Sequence, residues 1–92
     1  MGKRIVLGAH LTDRCKDAPA FQETITQFGC NIKTRIGLHN AGDGFCSGAG
    51  LILLEMIGEE DRINELEDVL RHMEGIEVQK MVFGENEGMV HG

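Results

Sequence analysis

Apolar residues recur along this chain with two different periods, and each change of period marks an element. From Arg4 to Leu11 the period is two. Ile5, Leu7, Ala9 and Leu11 fall on one side, and Val6, Gly8 and His10 on the other, which predicts a strand. Thr12 to Asp17 breaks the alternation as a polar turn. Phe21, Thr24, Ile25 and Phe28 then recur at helical spacing and predict a helix with one buried stripe. Asp17 is its expected N-cap, with Pro19 at an early position where no hydrogen bond is lost and Gly29 as a left-handed terminator.

Ile32, Thr34, Ile36 and Leu38 alternate with Lys33, Arg35, Gly37 and His39 as a second strand. A third is expected from about Gly48 to Ile57. Its run Leu51 to Ile57 is apolar on both alternating faces apart from Glu55, so it needs cover on both sides. The glycine-rich segment between the two, with Asn40 and Asp43, predicts a hairpin with a long loop. Glu59, Glu60 and Asp61 place carboxylates at the positive end of a second helix. Ile63, Leu66, Val69, Leu70 and Met73 form its stripe, and Gly75 closes it. Ile76, Val78, Lys80 and Val82 alternate with Glu77, Gln79, Met81 and Phe83 as a fourth strand. Residues 85–92 carry no period and are expected to form a frayed tail.

The order β-α-β-β-α-β predicts an α+β fold, the ferredoxin-like sandwich. Right-handed crossovers put both helices on one face of a four-stranded antiparallel sheet, with the strands that precede the helices at its centre. The expected domain is single and spans 1–84. The other sheet face, holding Leu51, Leu53, Val6 and Met81 or their neighbours, has no helix above it. An apolar face of this kind marks an interaction surface, so a homo-oligomer, dimer or tetramer, is expected by sheet-face stacking, edge pairing or both.

Composition narrows this picture. The chain's 92 residues suit one domain, and with no Trp or Tyr and four Phe its core must be mainly aliphatic. Nine basic against fifteen acidic residues give −6. That balance argues against direct nucleic-acid binding, which needs a clustered basic surface. Cys15, Cys30 and Cys46 form an odd set with no CxxC spacing and no secretory signal, so free thiols in a reducing cytoplasm are expected. No apolar run approaches the ~20 residues of a membrane crossing. No cofactor is identified by the sequence.

Thr34-Arg35-Ile36-Gly37-Leu38-His39, following a Phe-Gly helix end and preceding a glycine-bearing loop and an apolar strand, carries a resemblance. Over roughly Lys3 to Phe83 the chain resembles the iron-only hydrogenase system regulator family, small proteins of the ACT-like, ferredoxin-like type. The Glu74-Gly75-Ile76-Glu77-Val78 close is common to ACT-like domains. The resemblance implies the fold, an oligomer and a regulatory role, transcriptional regulation included, with no proven ligand. The chain is more distantly similar to the C-terminal, metal-sensing domain of nickel-responsive regulators, which binds nickel through His on the second strand and Cys at the start of the third. His39 and Cys46 occupy comparable places, although Gly37-Leu38-His39 stands where that family has a His-x-His pair.

His39 and Cys46 are therefore the candidate metal ligands, a soft imidazole–thiolate pair that needs a third and fourth ligand from His10, Cys30 or a neighbouring subunit. Cys15, between Arg14 and Lys16, has cations able to lower its pKa. His10, Thr12, Asp13 and Arg14 form the candidate ligand site. In ACT-like domains this strand-to-helix turn lines an effector site at a subunit interface, and its hydroxyl, carboxylate and guanidinium suit an amino-acid-like, zwitterionic small-molecule effector. An acylphosphatase-like enzyme is the competing class, with Arg14 and Asn40 its only candidate residues. It lacks the glycine-rich signature around the Arg, so the chain is expected to be no enzyme. It is expected to be a regulatory or sensor module that signals to a protein partner. The acidic run on the second helix, from Glu59 through Glu65, Glu67 and Asp68, is expected to be a solvated face.

Overall fold

The computed structural model describes residues 3–38 and 50–84, with the side chains of Arg14 and Cys15 outside that description. The elements, in order, are β1 (Arg4–Leu11), α1 (Arg14–Thr26), a 3-10 turn (Gly29–Asn31), β2 (Ile32–Leu38), β3 (Gly50–Met56), α2 (Glu60–Arg71) and β4 (Ile76–Phe83). The strands form one antiparallel sheet in the order β2-β3-β1-β4. This is the expected ferredoxin-like α+β topology, with β1 and β3 central.

The core lies between the sheet and its two helices. Ile5, Leu7, Ala9 and Leu11 from β1 and Ile52, Leu54 and Met56 from β3 are buried. They meet Phe21, Ile25 and Phe28 from the α1 segment and Ile63, Leu66 and Leu70 from α2. Burying each such side chain contributes about 1.5–3 kcal/mol, which is what holds α2 in place despite its charged outer face. Val69, expected on the buried stripe, is instead exposed at the stripe's margin.

Three local expectations are corrected. α1 starts four residues earlier than Asp17 would place it, because Asp13 is the N-cap and accepts a 3.2 Å hydrogen bond from the Lys16 amide. Pro19 consequently lies inside the helix, where it has no N–H to give the carbonyl four residues back. Gly29 does not end the helix in a left-handed conformation. The helix ends at Thr26, with Gln27 as a right-handed C-cap, and Gly29 opens the 3-10 turn.

In β2 the expected alternation is interrupted by a register shift between Ile32 and Thr34. Ile32 pairs with Met56 and packs on the core, whereas Thr34, Ile36 and Leu38 pair with Glu55, Leu53 and Leu51. A bulge of this kind moves the following side chains to the opposite face. Glu67, placed by its sequence on the solvated acidic face, has a side chain only 15% exposed. Lys80 Nζ lies 2.9 Å from its Oε1 and Arg71 Nη2 2.8 Å from its Oε2. The hairpin loop and the frayed tail fall outside the described residues.

Candidate functional site

Two regions of the described structure hold candidate chemistry. The first is the turn from β1 into α1. Antiparallel pairing of β1 with β4 sets Leu11 opposite Ile76, so residues just after β1 meet residues just before β4. Thr12 donates through both its amide (2.9 Å) and its Oγ1 (3.1 Å) to the Gly75 carbonyl. Gly75 has φ +83°, and a Cβ there would sit 2.6 Å from Asp17 Oδ2. Only glycine fits both the conformation and the space.

A small cavity of about 120 Å³ results, lined by Thr12, Asp13, Lys16, Asp17, Glu74 and Gly75. Asp13 Oδ1 caps the helix, and the Asp13 amide donates in return to Asp17 Oδ2 at 3.2 Å. Three carboxylates and one ammonium thus converge. This set favours the amine end of a zwitterion, leaving Arg14, whose side chain is outside the description, as the expected partner for a carboxylate. The structure brings Thr12 and Asp13 together and separates His10 from them. Lys16, Asp17 and Glu74 were not foreseen as lining residues. The β1–β4 pairing implied by the topology was the signal that could have found Glu74 and Gly75.

The second region is the sheet face without helices. Pairing fixes three rows across it: Thr34, Glu55, Val6, Met81; then Ile36, Leu53, Gly8, Gln79; then Leu38, Leu51, His10, Glu77. Arg4 and Phe83 form a shorter row beyond the first. A depression of about 500 Å³ is lined by Arg4, Val6, Thr34, Ile36, Leu53, Glu55 and Phe83. A second, of about 300 Å³, includes Gly8, His10, Leu51, Glu77 and Met81. Arg4 donates to Glu55 Oε2 through Nε (3.1 Å) and Nη2 (2.8 Å), and Thr34 Oγ1 donates to Oε1 at 3.3 Å. The Arg4 hydrogen bonds chiefly, with the nearby charges of Arg4 and Lys33, hold the Glu55 carboxyl below its usual range.

His39, Asn40 and Cys46 fall outside the described residues. Among the described residues no group of three or more His, Cys, Asp or Glu side chains is arranged to hold a metal ion. Cys30 is an exposed free thiol on the 3-10 turn, at the opposite end of β2 from Leu38. His10 shares its row with Leu38 and Leu51, at the end of the sheet from which the segment carrying His39 and Cys46 departs. No described helix is long and apolar enough to cross a membrane.

No protein-family model matches the chain, and no curated protein matches it. Solved structures do. An uncharacterized protein from Thermotoga maritima aligns with a TM-score of 0.74 and 22% identity over 88% of this chain and 98% of that one. The ACT domain from GTP pyrophosphokinase of Chlorobium tepidum aligns with a TM-score of 0.64 and 22% identity, covering 85% and 96%. CPII from Thiomonas intermedia, a nitrogen regulatory PII-like protein in its apo form, aligns with a TM-score of 0.60 and 10% identity, covering 89% and 90%. The chain therefore has the ferredoxin-like fold shared by ACT domains and PII-like proteins.

Proposed function

We propose that this chain is a non-enzymatic regulatory module that oligomerises and binds a small amine-bearing effector, amino-acid-like in chemistry, at the β1–α1 turn. The observation that carries the reading is the meeting of Thr12, Asp13 and Lys16 with Asp17, Glu74 and Gly75 around one polar cavity. The fold shared with an ACT domain and with a nitrogen regulatory PII-like protein supports it. A ligand lodged between the two turns would tie the end of α2 to the start of α1. Its occupancy would then be passed through both helices to the module's surface, where a protein partner can read it.

Thermal melting with a panel of amino acids and nucleotides tests this. An effector at about a hundred times its dissociation constant adds about 2.7 kcal/mol, a rise on the order of 10 °C for a domain this size. Arg14→Ala should remove the rise if the guanidinium holds the effector's carboxylate. Melting that is independent of every ligand contradicts the proposal. The narrower assignment, to an iron-only hydrogenase system, rests on the resemblance carried by Thr34 to His39. It predicts altered hydrogenase transcript levels in cells lacking the protein.

The metal-sensor alternative keeps one favourable observation, the position of His10 at the sheet end from which residues 39–49 depart. It predicts metal above trace in untagged protein, lost in Cys46→Ser.

A further inference from the structure

The helix-free sheet face has the composition of an interface and lacks a cover among the described residues. Ile36 is 48% exposed, Leu38 47%, Met81 48% and Phe83 54%, and Leu51 lies among them. Val6 and Leu53 form the floor between. Such a contiguous patch exceeds the scattered apolar residues normal on a protein surface.

Three observations identify the occupant. The first is charge. The chain carries −6 overall, yet among the described acidic residues only Glu55 and Glu77 belong to this face, while α1, α2 and the turns carry the others. Glu55 is already neutralised by Arg4 within its own chain, and Glu77 accepts from Gln79 Nε2 at 3.3 Å beside His10. Two copies can therefore approach sheet to sheet with their acidic helices turned outward and no unpaired charge of like sign between them.

The second is area. Four strands about 4.8 Å apart, each of seven or eight residues rising about 3.3 Å, give a flat footprint near 500 Å². Side chains standing off that plane raise the accessible area toward the ~800 Å² per partner of a standard interface. The third concerns the chain's own tail. Residues 85–92, Glu-Asn-Glu-Gly-Met-Val-His-Gly, bring only Met89 and Val90 as large apolar groups, and two carboxylates with them. That is too little to cover seven apolar side chains spread over four strands.

We infer that a second copy of this chain packs on the open face about a two-fold axis, closing both depressions around Leu53 between two sheets about 10 Å apart. The inference rests on the oligomeric reading above and names the surface and the partner. Phe83 and Met81 of each copy then lie at the junction, with the Arg4–Glu55 pair at its rim. The β1–α1 turn stays at the periphery, open to ligand.

Sedimentation velocity of the full chain, from low to high micromolar, tests it. Wild type is expected at twice the 10.1 kDa chain mass. Met81→Lys with Phe83→Lys should weaken association by roughly 100-fold or more, with unchanged far-UV circular dichroism. Ile36→Lys, on the edge strand, provides the same test should the first variant fold poorly. Val69→Lys, equally a charge on an exposed apolar site but on α2, should leave the dimer intact. A wild-type monomer at high micromolar overturns the inference, as does a dimer that survives both face variants. A monomer that dimerises once 85–92 is removed also overturns it, since the tail would then be the cover. A dimer with ligand-independent melting leaves this interface standing and removes the effector reading. A monomer stabilised by an amino acid does the reverse.

Discussion

Asp13 has two roles that a pair of substitutions can separate. Its Oδ1 accepts from the Lys16 amide as the α1 N-cap, and its carboxylate also faces the small cavity with Asp17 and Glu74. Asp13→Ala removes the cap and should cost about 1 kcal/mol, lowering the melting temperature by about 4–8 °C. Asp13→Asn keeps a capping oxygen, since Asn and Asp cap about equally well, and removes the charge. It should melt close to wild type while losing most of the stabilisation given by an amine-bearing effector. Loss of both properties together would make Asp13 only a cap.

The choice between Asp13 and Asp17 shows what sequence can resolve at this scale. Both are good capping residues, and Pro19 favours the later one because Pro is best placed at the first helical turn. What decides is tertiary: Thr12 is fixed by two bonds to Gly75, so the chain turns into the helix immediately after it. The β2 bulge is equally hidden. Thr34, Ile36 and Leu38 alternate correctly, and nothing in Ile32-Lys33 marks the shift that carries Ile32 to the core.

Among the elements, α2 and β4 are joined by polar as well as apolar contacts. Glu67 receives Lys80 from β4 and Arg71 from its own helix, while Arg71 Nη1 donates 2.9 Å to the Val78 carbonyl. Burial raises the Glu67 pKa, but the Lys80 and Arg71 hydrogen bonds outweigh it and hold the carboxyl below its ordinary value of 4.5. A group with a lowered folded pKa contributes stability that is complete above the unfolded value and lost as pH falls through the folded one. Glu67→Gln should therefore be less stable than wild type by roughly 1 kcal/mol at neutral pH. That gap should close as pH falls below about 4.5. Denaturant titrations at several pH values measure it, and a gap that is constant with pH would mean the pairs contribute nothing electrostatic. The sequence showed six like charges around α2, and only the β4 register reveals that Glu67 faces inward.

At the scale of the molecule, much was legible in periodicity alone. The alternation of β1, the stripe Ile63-Leu66-Leu70 and the two-sided apolar run of β3 determine the element order, the central strands and the uncovered face. The candidate site was only half legible. Thr12 and Asp13 sit in a turn that sequence identifies, but their neighbours Glu74 and Gly75 come from some sixty residues away and depend on the pairing of Leu11 with Ile76. His10 was grouped with Thr12 by proximity along the chain, and the strand's alternation points it to the open face instead.

The account joins these scales in one statement: a dimer built on the bare sheet face carries ligand-binding turns at its periphery. Native mass spectrometry of freshly purified, untagged protein addresses both halves at once, because it reads subunit number and bound mass from the same ion. The account predicts twice the 10.1 kDa chain mass, with an added small-molecule mass when an amino-acid-like effector is supplied. A single chain of 10.1 kDa, unliganded under every condition, would contradict it.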